Sequence, residues 1–254
     1  MIRQIFSIEE NSFDELEKNH NSLKLRSNYY AYGGEYDFCR FYEIVDAMRI
    51  GIICIFNSSM IICINAGVDM KKLKVNDLKL FINIYKPLSI EMDILIAKKL
   101  EKPLKRTYKS QMRTVFNFSK EIDAPEIIVD DSPRLDDVFS VLSACFPVMI
   151  NSFDLWLTDT SHRIRRNLSE VYLYKNVSTV TVQYIVENIA LIGSVGTTEE
   201  YRGKNYARDL LYYVISKLQK QGYSVNLIAR ENRVSYYEKI GFTKIFEDLI
   251  FERK

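Results

Sequence analysis

The sequence predicts a mixed α/β fold of the α+β kind, with a mostly antiparallel sheet flanked by helices. Three observations carry this prediction. The apolar run 189–195 passes through a polar, glycine-containing loop into an amphipathic stretch at 207–218, an order typical of strand, loop and helix. The apolar runs 179–186 and 189–195 are separated only by Glu187 and Asn188, which favours an antiparallel hairpin. Helical and strand patterns alternate from about residue 130 onward.

The first 120 residues contain fewer clear elements. Residues 52–56 and 60–64 flank Asn57-Ser58-Ser59 and predict a hairpin. A helix is predicted over 75–85, before Pro87, because a proline disfavours helix continuation at the residue before it. Short strands are predicted at 89–91 and 113–118. This order loosely repeats that of the second half.

A domain boundary is predicted where prolines and acidic residues interrupt the apolar pattern, between about residues 121 and 132. The predicted domains are therefore 1–125 and 126–254. In the second domain, Ser132 and Pro133 read as the N-cap and first residue of a helix that ends before Pro147. The elements predicted after it are a helix at 156–166, strands at 170–174, 179–186 and 189–195, a helix at 207–218, a strand at 224–229, and a final helix and strand.

The loop before the helix at 207–218 has the properties of an anion site. The first N–H groups of a helix lack intrahelical acceptors, and the helix dipole places partial positive charge there. Arg202 and Lys204 add charge, and Gly203 allows a phosphate to approach the main chain. The loop therefore predicts a site for a phosphate-bearing ligand.

Two motifs in this order resemble the GNAT N-acetyltransferase superfamily. The family's coenzyme A loop, Arg/Gln-x-x-Gly-x-Gly/Ala, corresponds to residues 202–207, which read Arg-Gly-Lys-Asn-Tyr-Ala. A later family pattern corresponds to Asn232 followed by Tyr-Glu-Lys-Ile-Gly-Phe at 237–242. The resemblance covers about residues 130–254, and it implies a GNAT-like sheet there. The first domain is then either a degenerate GNAT-like repeat, which would make a tandem protein, or an unrelated α+β domain.

The resemblance implies an N-acetyltransferase that uses acetyl-CoA as co-substrate, without a metal. It implies that Tyr237 protonates the departing thiolate, a role compatible with a phenol of pKa near 10. The residues that it assigns to coenzyme binding are Val195, Gly196, Thr197, Arg202, Gly203, Lys204, Asn205, Tyr206, Ala207 and Asn232.

Asn205 stands where the family has its second loop glycine. Asn tolerates a left-handed backbone, but its side chain occupies space beside the phosphate. No Asp or Glu lies in the strand 189–195 to act as general base. Asp159, His162 and Glu187 are the candidate substrate or base residues, although His162 also fits a solvated basic face.

The net charge and the cysteine spacing restrict the classes of partner that the sequence favours. A formal net charge of +2 favours neither nucleic acid nor a membrane surface. The four cysteines lack zinc-type spacing and are expected to be buried thiols. The absence of a leader-like or membrane-length apolar segment suggests a cytoplasmic protein, expected as a monomer or homodimer. The expected acceptor is a small-molecule amine or a protein amino group. A non-catalytic acyl-CoA-binding or interaction protein stays an alternative, as does aminoacyl transfer from charged tRNA, which the near-neutral charge disfavours.

Overall fold

The protein is described by a computed structural model that covers all 254 residues. It divides into two compact units: residues 1–113 with 247–254, and residues 114–246. The division precedes the boundary predicted from sequence, because the irregular segment after residue 118 packs on the core of the second unit. Ile122, Ile127 and Val129 lie against that core, and Asp130 forms a bridge with Leu173.

The first unit contains a mostly antiparallel sheet with four helices. Strands β1 to β4 pair antiparallel in sequence order, β5 is parallel to β4, and the end of the last strand, β11, is antiparallel to β5. The elements are β1 (Ile2–Ile5), α1 (Glu10–Asp14), α2 (His20–Tyr32), β2 (Cys39–Val45), β3 (Arg49–Phe56), β4 (Ser59–Ile64), α3 (Val75–Tyr85), β5 (Ser89–Met92), α4 (Ile94–Leu104) and β11 (Thr243–Arg253).

The hairpin, the helix and the short strands predicted for the first 120 residues are present, but five further elements of the first unit were not predicted. Of these, α2 buries polar residues, so it shows no apolar periodicity. Asn21 donates to Asp248 at 3.0 Å within the core, and His20 lies 3.1 Å from the same carboxylate. The others are β1, α1, β2 and α4, the last of which carries Pro103 within its final turn.

The second unit follows the predicted order of helices and strands. Strands β7, β8 and β9 are antiparallel neighbours, and β10 is parallel to β9. The elements are the end of β6 (Tyr108–Phe118), α5 (Leu135–Cys145), α6 (Phe153–Arg165), β7 (Glu170–Tyr174), β8 (Ser178–Val186), β9 (Ile189–Thr197), α7 (Tyr206–Lys220), β10 (Ser224–Arg230), α8 (Val234–Lys239) and the start of β11. The mixed, mostly antiparallel fold predicted from sequence is confirmed.

The helix starts differ from those predicted. Helix α5 is preceded by Arg134 rather than Ser132 and has no side-chain cap. Helix α6 begins three residues before Trp156, and Ser152 precedes it without capping it. The apolar stripe of α7 is buried as predicted, since Leu210, Leu211, Val214, Ile215 and Leu218 are all enclosed.

Two further properties bear on function. None of the helices combines the length and the apolar character that a membrane crossing requires. All four cysteines are free; Cys39, Cys54 and Cys63 are buried, whereas Cys145 is half-buried.

Candidate functional site

Strand β9 extends beyond its pairing with β10. The parallel pairing runs from Ser224 opposite Ile189 to Leu227 opposite Ile192, whereas β9 continues to Thr197. The last residues of β9 therefore present backbone groups on the side that β10 has left. Such an edge can accept an extended ligand as an added strand, because unpaired N–H and C=O groups need partners.

A β-bulge shapes this open edge. Thr179 of β8 lies opposite Gly196 and Thr181 opposite Gly193, so Val180 alone faces both Ser194 and Val195. Ser194 has φ +50°, in the left-handed region that non-glycine residues seldom adopt. The bulge bends β9 where it parts from β10 and turns its backbone groups out of the ladder.

The loop that follows β9 forms the start of α7. A 3₁₀ turn at Glu199–Tyr201 leads to Gly203, with φ +78°, and to Asn205, with φ +62° and ψ +8°. Both are left-handed, so Asn205 adopts the conformation that a glycine would favour there. The Asn205 side chain makes no capping hydrogen bond. The first N–H groups of this 15-residue helix are therefore left without a side-chain acceptor.

Arg202 is held against the end of β9. Its Nε donates to the carbonyl oxygen of Thr197 at 3.2 Å. The Arg202 charge also opposes the effect of burial, which raises the pKa of the Cys145 thiol. Cys145 in turn lies against Gly196, where an added Cβ would be only 2.9 Å from its Sγ. A glycine at position 196 therefore allows the end of α5 to rest on the open part of β9.

Tyr237 lies in the core of the second unit. It is 9% exposed, and its ring lies 6.1 Å from that of Phe116 and 5.7 Å from that of Phe242. No hydrogen bond within the chain engages its hydroxyl. Burial raises the pKa of Tyr237 to about 12, and the neighbouring Tyr236 adds to the rise. The phenol is therefore protonated at neutral pH but is a weaker acid than a solvated tyrosine.

Tyr236 differs from its neighbour in exposure. Its ring is half-buried and lies 5.2 Å from that of Tyr237. Burial also raises the pKa of Tyr236.

The remaining sequence candidates are dispersed. Asn232 is exposed in the 3₁₀ turn before α8. Asp159 accepts a 2.7 Å hydrogen bond from the buried Arg163 within α6, which engages its carboxylate in a structural pair. His162 is half-buried in the last turn of the same helix. Glu187, with φ +51°, forms the turn before β9, roughly 25 Å of strand from the loop that follows β9.

The structure adds residues that sequence reasoning missed. Lys175 and Tyr174 come from the β7–β8 turn, and Tyr201 comes from the loop before α7. The ring of Tyr206 lies 5.5 Å from that of Tyr174 and 6.1 Å from that of Tyr201. The signal that could have indicated this proximity is the run of three predicted strands, because their pairing places Ser178 opposite Tyr174 in one ladder and opposite Thr197 in the other.

The C-terminal part of the chain matches a known protein family. Residues 160–253 match the family described as Acetyltransferase (GNAT) domain. No curated protein matches the chain.

Solved structures share the fold over most of the chain. An acetyltransferase from the GNAT family of Colwellia psychrerythraea is 12% identical, with a TM-score of 0.58 over 100% of this chain and 99% of that one. A GCN5-related N-acetyltransferase from Kribbella flavida is 9% identical, with a TM-score of 0.62 over 92% and 93%. A GCN5-related N-acetyltransferase from Sphaerobacter thermophilus is 16% identical, with a TM-score of 0.59 over 83% and 82%. At these identities the likeness establishes the fold.

Proposed function

We propose that this chain is an acyl-CoA-dependent N-acyltransferase with acetyl-CoA as the donor, because residues 160–253 match the Acetyltransferase (GNAT) domain family. The acceptor is an amine, either a small molecule or a protein amino group. The observation that carries the proposal is the open end of β9, where a bulge, a left-handed loop and an uncapped helix start follow one another along the chain.

The residues at this place fit the coenzyme. An extended pantetheine arm, with its amide groups, would bind as an added strand along Val195, Gly196 and Thr197. The pyrophosphate would bind the loop from Arg202 to Ala207, where backbone N–H groups and two cationic side chains are available. Gly203 leaves room for a close approach, since nothing lies within 4 Å of the position of an added Cβ.

The chemistry requires three things of the protein. The acyl thioester supplies an electrophilic carbonyl and a thiolate leaving group, and the attacking amine must be neutral. A backbone N–H at the bulge of β9 would polarise the carbonyl oxygen. Tyr237 would give its phenolic proton, by transfer or as a hydrogen bond, to the sulfur. The proton lost by the amine would pass to water, since β9 carries no carboxylate.

The second candidate function is non-catalytic binding of acyl-CoA, and one observation favours it. A tyrosine with a pKa of about 12 is a poor proton donor, so the domain could bind acyl-CoA without transferring the acyl group. Under that alternative the chain is an acyl-CoA-binding or interaction protein. Release of free thiol in the presence of an amine separates the two functions.

The test begins with calorimetry of acetyl-CoA binding. Arg202→Glu places a carboxylate beside the phosphates, and we expect affinity to fall by roughly 1–3 kcal/mol, the scale of a charge-assisted hydrogen bond. Arg134→Glu is the matched control, because its side chain is 81% exposed and precedes α5. Equal affinity of both variants and the unaltered protein would remove the loop from the site.

Activity is measured next, as thiol release from acetyl-CoA with a panel of small amines and short peptides. Transfer to at least one amine, reduced in Arg202→Glu, supports the enzyme. Tight binding of acetyl-CoA without release of the coenzyme thiol in the presence of any acceptor supports the non-catalytic alternative.

A further inference from the structure

Lys175 occupies a turn that points its side chain at the start of α7. The residues Lys175 and Asn176, with φ +52° and +54°, are the central pair of a turn closed by a 3.1 Å hydrogen bond from the N–H of Val177 to the carbonyl oxygen of Tyr174. Positive φ at both central residues is the geometry of the tight hairpin turn that matches strand twist. The turn therefore holds Lys175 in a defined direction.

Two tyrosine rings hold the Lys175 ammonium. Its Nζ lies 5.3 Å from the ring centroid of Tyr174 and 5.3 Å from that of Tyr206. These distances are typical of cation–π contacts, which position an exposed lysine. Tyr206 is the first residue of α7, directly after Asn205. The ammonium is thus placed beside the uncapped helix start, although it comes from a hairpin some thirty residues earlier in the chain.

A second lysine is placed in the same way, by a tyrosine of the loop before α7. Lys204 Nζ lies 4.9 Å from the ring centroid of Tyr201, whose ring is next to that of Tyr206. Neither Lys175 nor Lys204 forms an ion pair with a carboxylate, although Glu199 and Glu200 belong to the same loop. Two cations are therefore held by aromatic rings, without counter-ions, around one helix start.

The like charges of Lys175 and Lys204 around one helix start disfavour each other, and an anion bound there would offset this repulsion. We infer that Lys175 is a phosphate-binding residue of the coenzyme site, and that it contacts either the pyrophosphate or the 3′-phosphate of coenzyme A. This inference rests on the proposed function, because the coenzyme is the source of the phosphate. It adds a binding group from the β7–β8 turn to the loop between β9 and α7.

The experiment compares coenzyme A with dephospho-coenzyme A, which lacks the 3′-phosphate, by calorimetry at low salt. Lys175→Met keeps an unbranched side chain against both rings and removes the charge. We expect it to weaken coenzyme A binding about tenfold, and Lys175→Arg to restore most of the affinity. Lys220→Met is the control, since Lys220 is exposed at the other end of α7.

The two ligands identify the phosphate. A loss confined to coenzyme A assigns Lys175 to the 3′-phosphate, and an equal loss with both ligands assigns it to the pyrophosphate. Affinity within twofold of the unaltered protein for both ligands, while Arg202→Glu binds weakly, overturns the inference and leaves the proposed function standing. Failure of the unaltered protein to bind coenzyme A overturns both.

Discussion

Removal of the Tyr237 hydroxyl tests the catalytic assignment most directly. Tyr237→Phe keeps the ring in its contacts with Phe116 and Phe242 and deletes a hydroxyl that has no hydrogen bond within the chain. We therefore expect the free energy of unfolding to change by less than about 1 kcal/mol, because no buried partner is left unsatisfied. Coenzyme affinity should also be unchanged.

The expected kinetic effect follows from the raised pKa of Tyr237. A positioned general acid contributes about 10² to 10⁴ in rate, and a weaker acid contributes less. A pKa of about 12 rather than 10.0 makes the phenolate less accessible by about 3 kcal/mol. We therefore expect Tyr237→Phe to lower kcat by roughly 10- to 100-fold, which is at or below the lower limit of that range. Tyr236→Phe, the control in the adjacent half-buried position, should lower kcat less than about threefold.

The pH dependence gives an independent measurement of the same property. A tyrosine of ordinary pKa would be about half deprotonated at pH 10, whereas one with a pKa of about 12 would be only about 1% deprotonated. The ratio of kcat between the unaltered protein and Tyr237→Phe should thus stay constant from pH 7 to 10. A ratio that falls by half at pH 10 would show that burial does not raise the pKa. A larger loss in Tyr236→Phe would refute the choice of Tyr237.

Three further predictions follow from the site and from the first unit. Asn205→Gly should tighten acetyl-CoA binding severalfold in calorimetry, because it removes a side chain beside the proposed phosphate site and glycine favours the observed φ of +62°. Weaker binding would mean that the Asn205 side chain itself contacts the coenzyme. Gly196→Ala should lower the free energy of unfolding, measured in urea, by about 1–3 kcal/mol, since the new Cβ would lie 2.9 Å from the Sγ of Cys145. Cys145→Ala in the same chain should recover part of this loss. If the effects of the two substitutions on the free energy of unfolding were additive, the clash would be contradicted. Burial raises the pKa of Asp93 to about 6, although hydrogen bonds from Asn19 and Ile64 lower it. The charges of Asp248 and Glu17 add to the rise. The folded state therefore keeps a proton on Asp93 that the unfolded state loses near pH 4. Stability should therefore decrease by up to ~3 kcal/mol as pH rises from 4 to 6, and Asp93→Asn should flatten this dependence; an unchanged slope would assign it to another group.

Local patterns in the sequence predicted most of the second unit. The buried face of α7 could be predicted because its large apolar residues recur at helical spacing. The turn at Glu187 and Asn188 was legible because only two residues separate two apolar runs, and both have positive φ in the structure. Asn205 could be expected to accept a left-handed backbone from its residue type alone.

Helix α2 shows why the elements of the first unit were harder to predict from the sequence. Its buried face consists largely of polar side chains whose partners are distant in sequence, such as Asp248 for Asn21. A buried polar residue is stable only when a partner satisfies it, and the sequence does not reveal which partner will be near. Hydrophobic periodicity therefore cannot identify such a helix.

The sequence by itself determined the fold class, the loop from Arg202 to Ala207 and the family resemblance, because these depend on residues close together in the chain. Only the tertiary structure decided three properties of the site. Strand pairing set the bulge at Ser194 and the open end of β9, core packing enclosed Tyr237 and raised its pKa, and hairpin register brought Lys175 to the start of α7. Each of these properties depends on which segments become neighbours after folding, and the pattern of residues along the chain does not specify those neighbours.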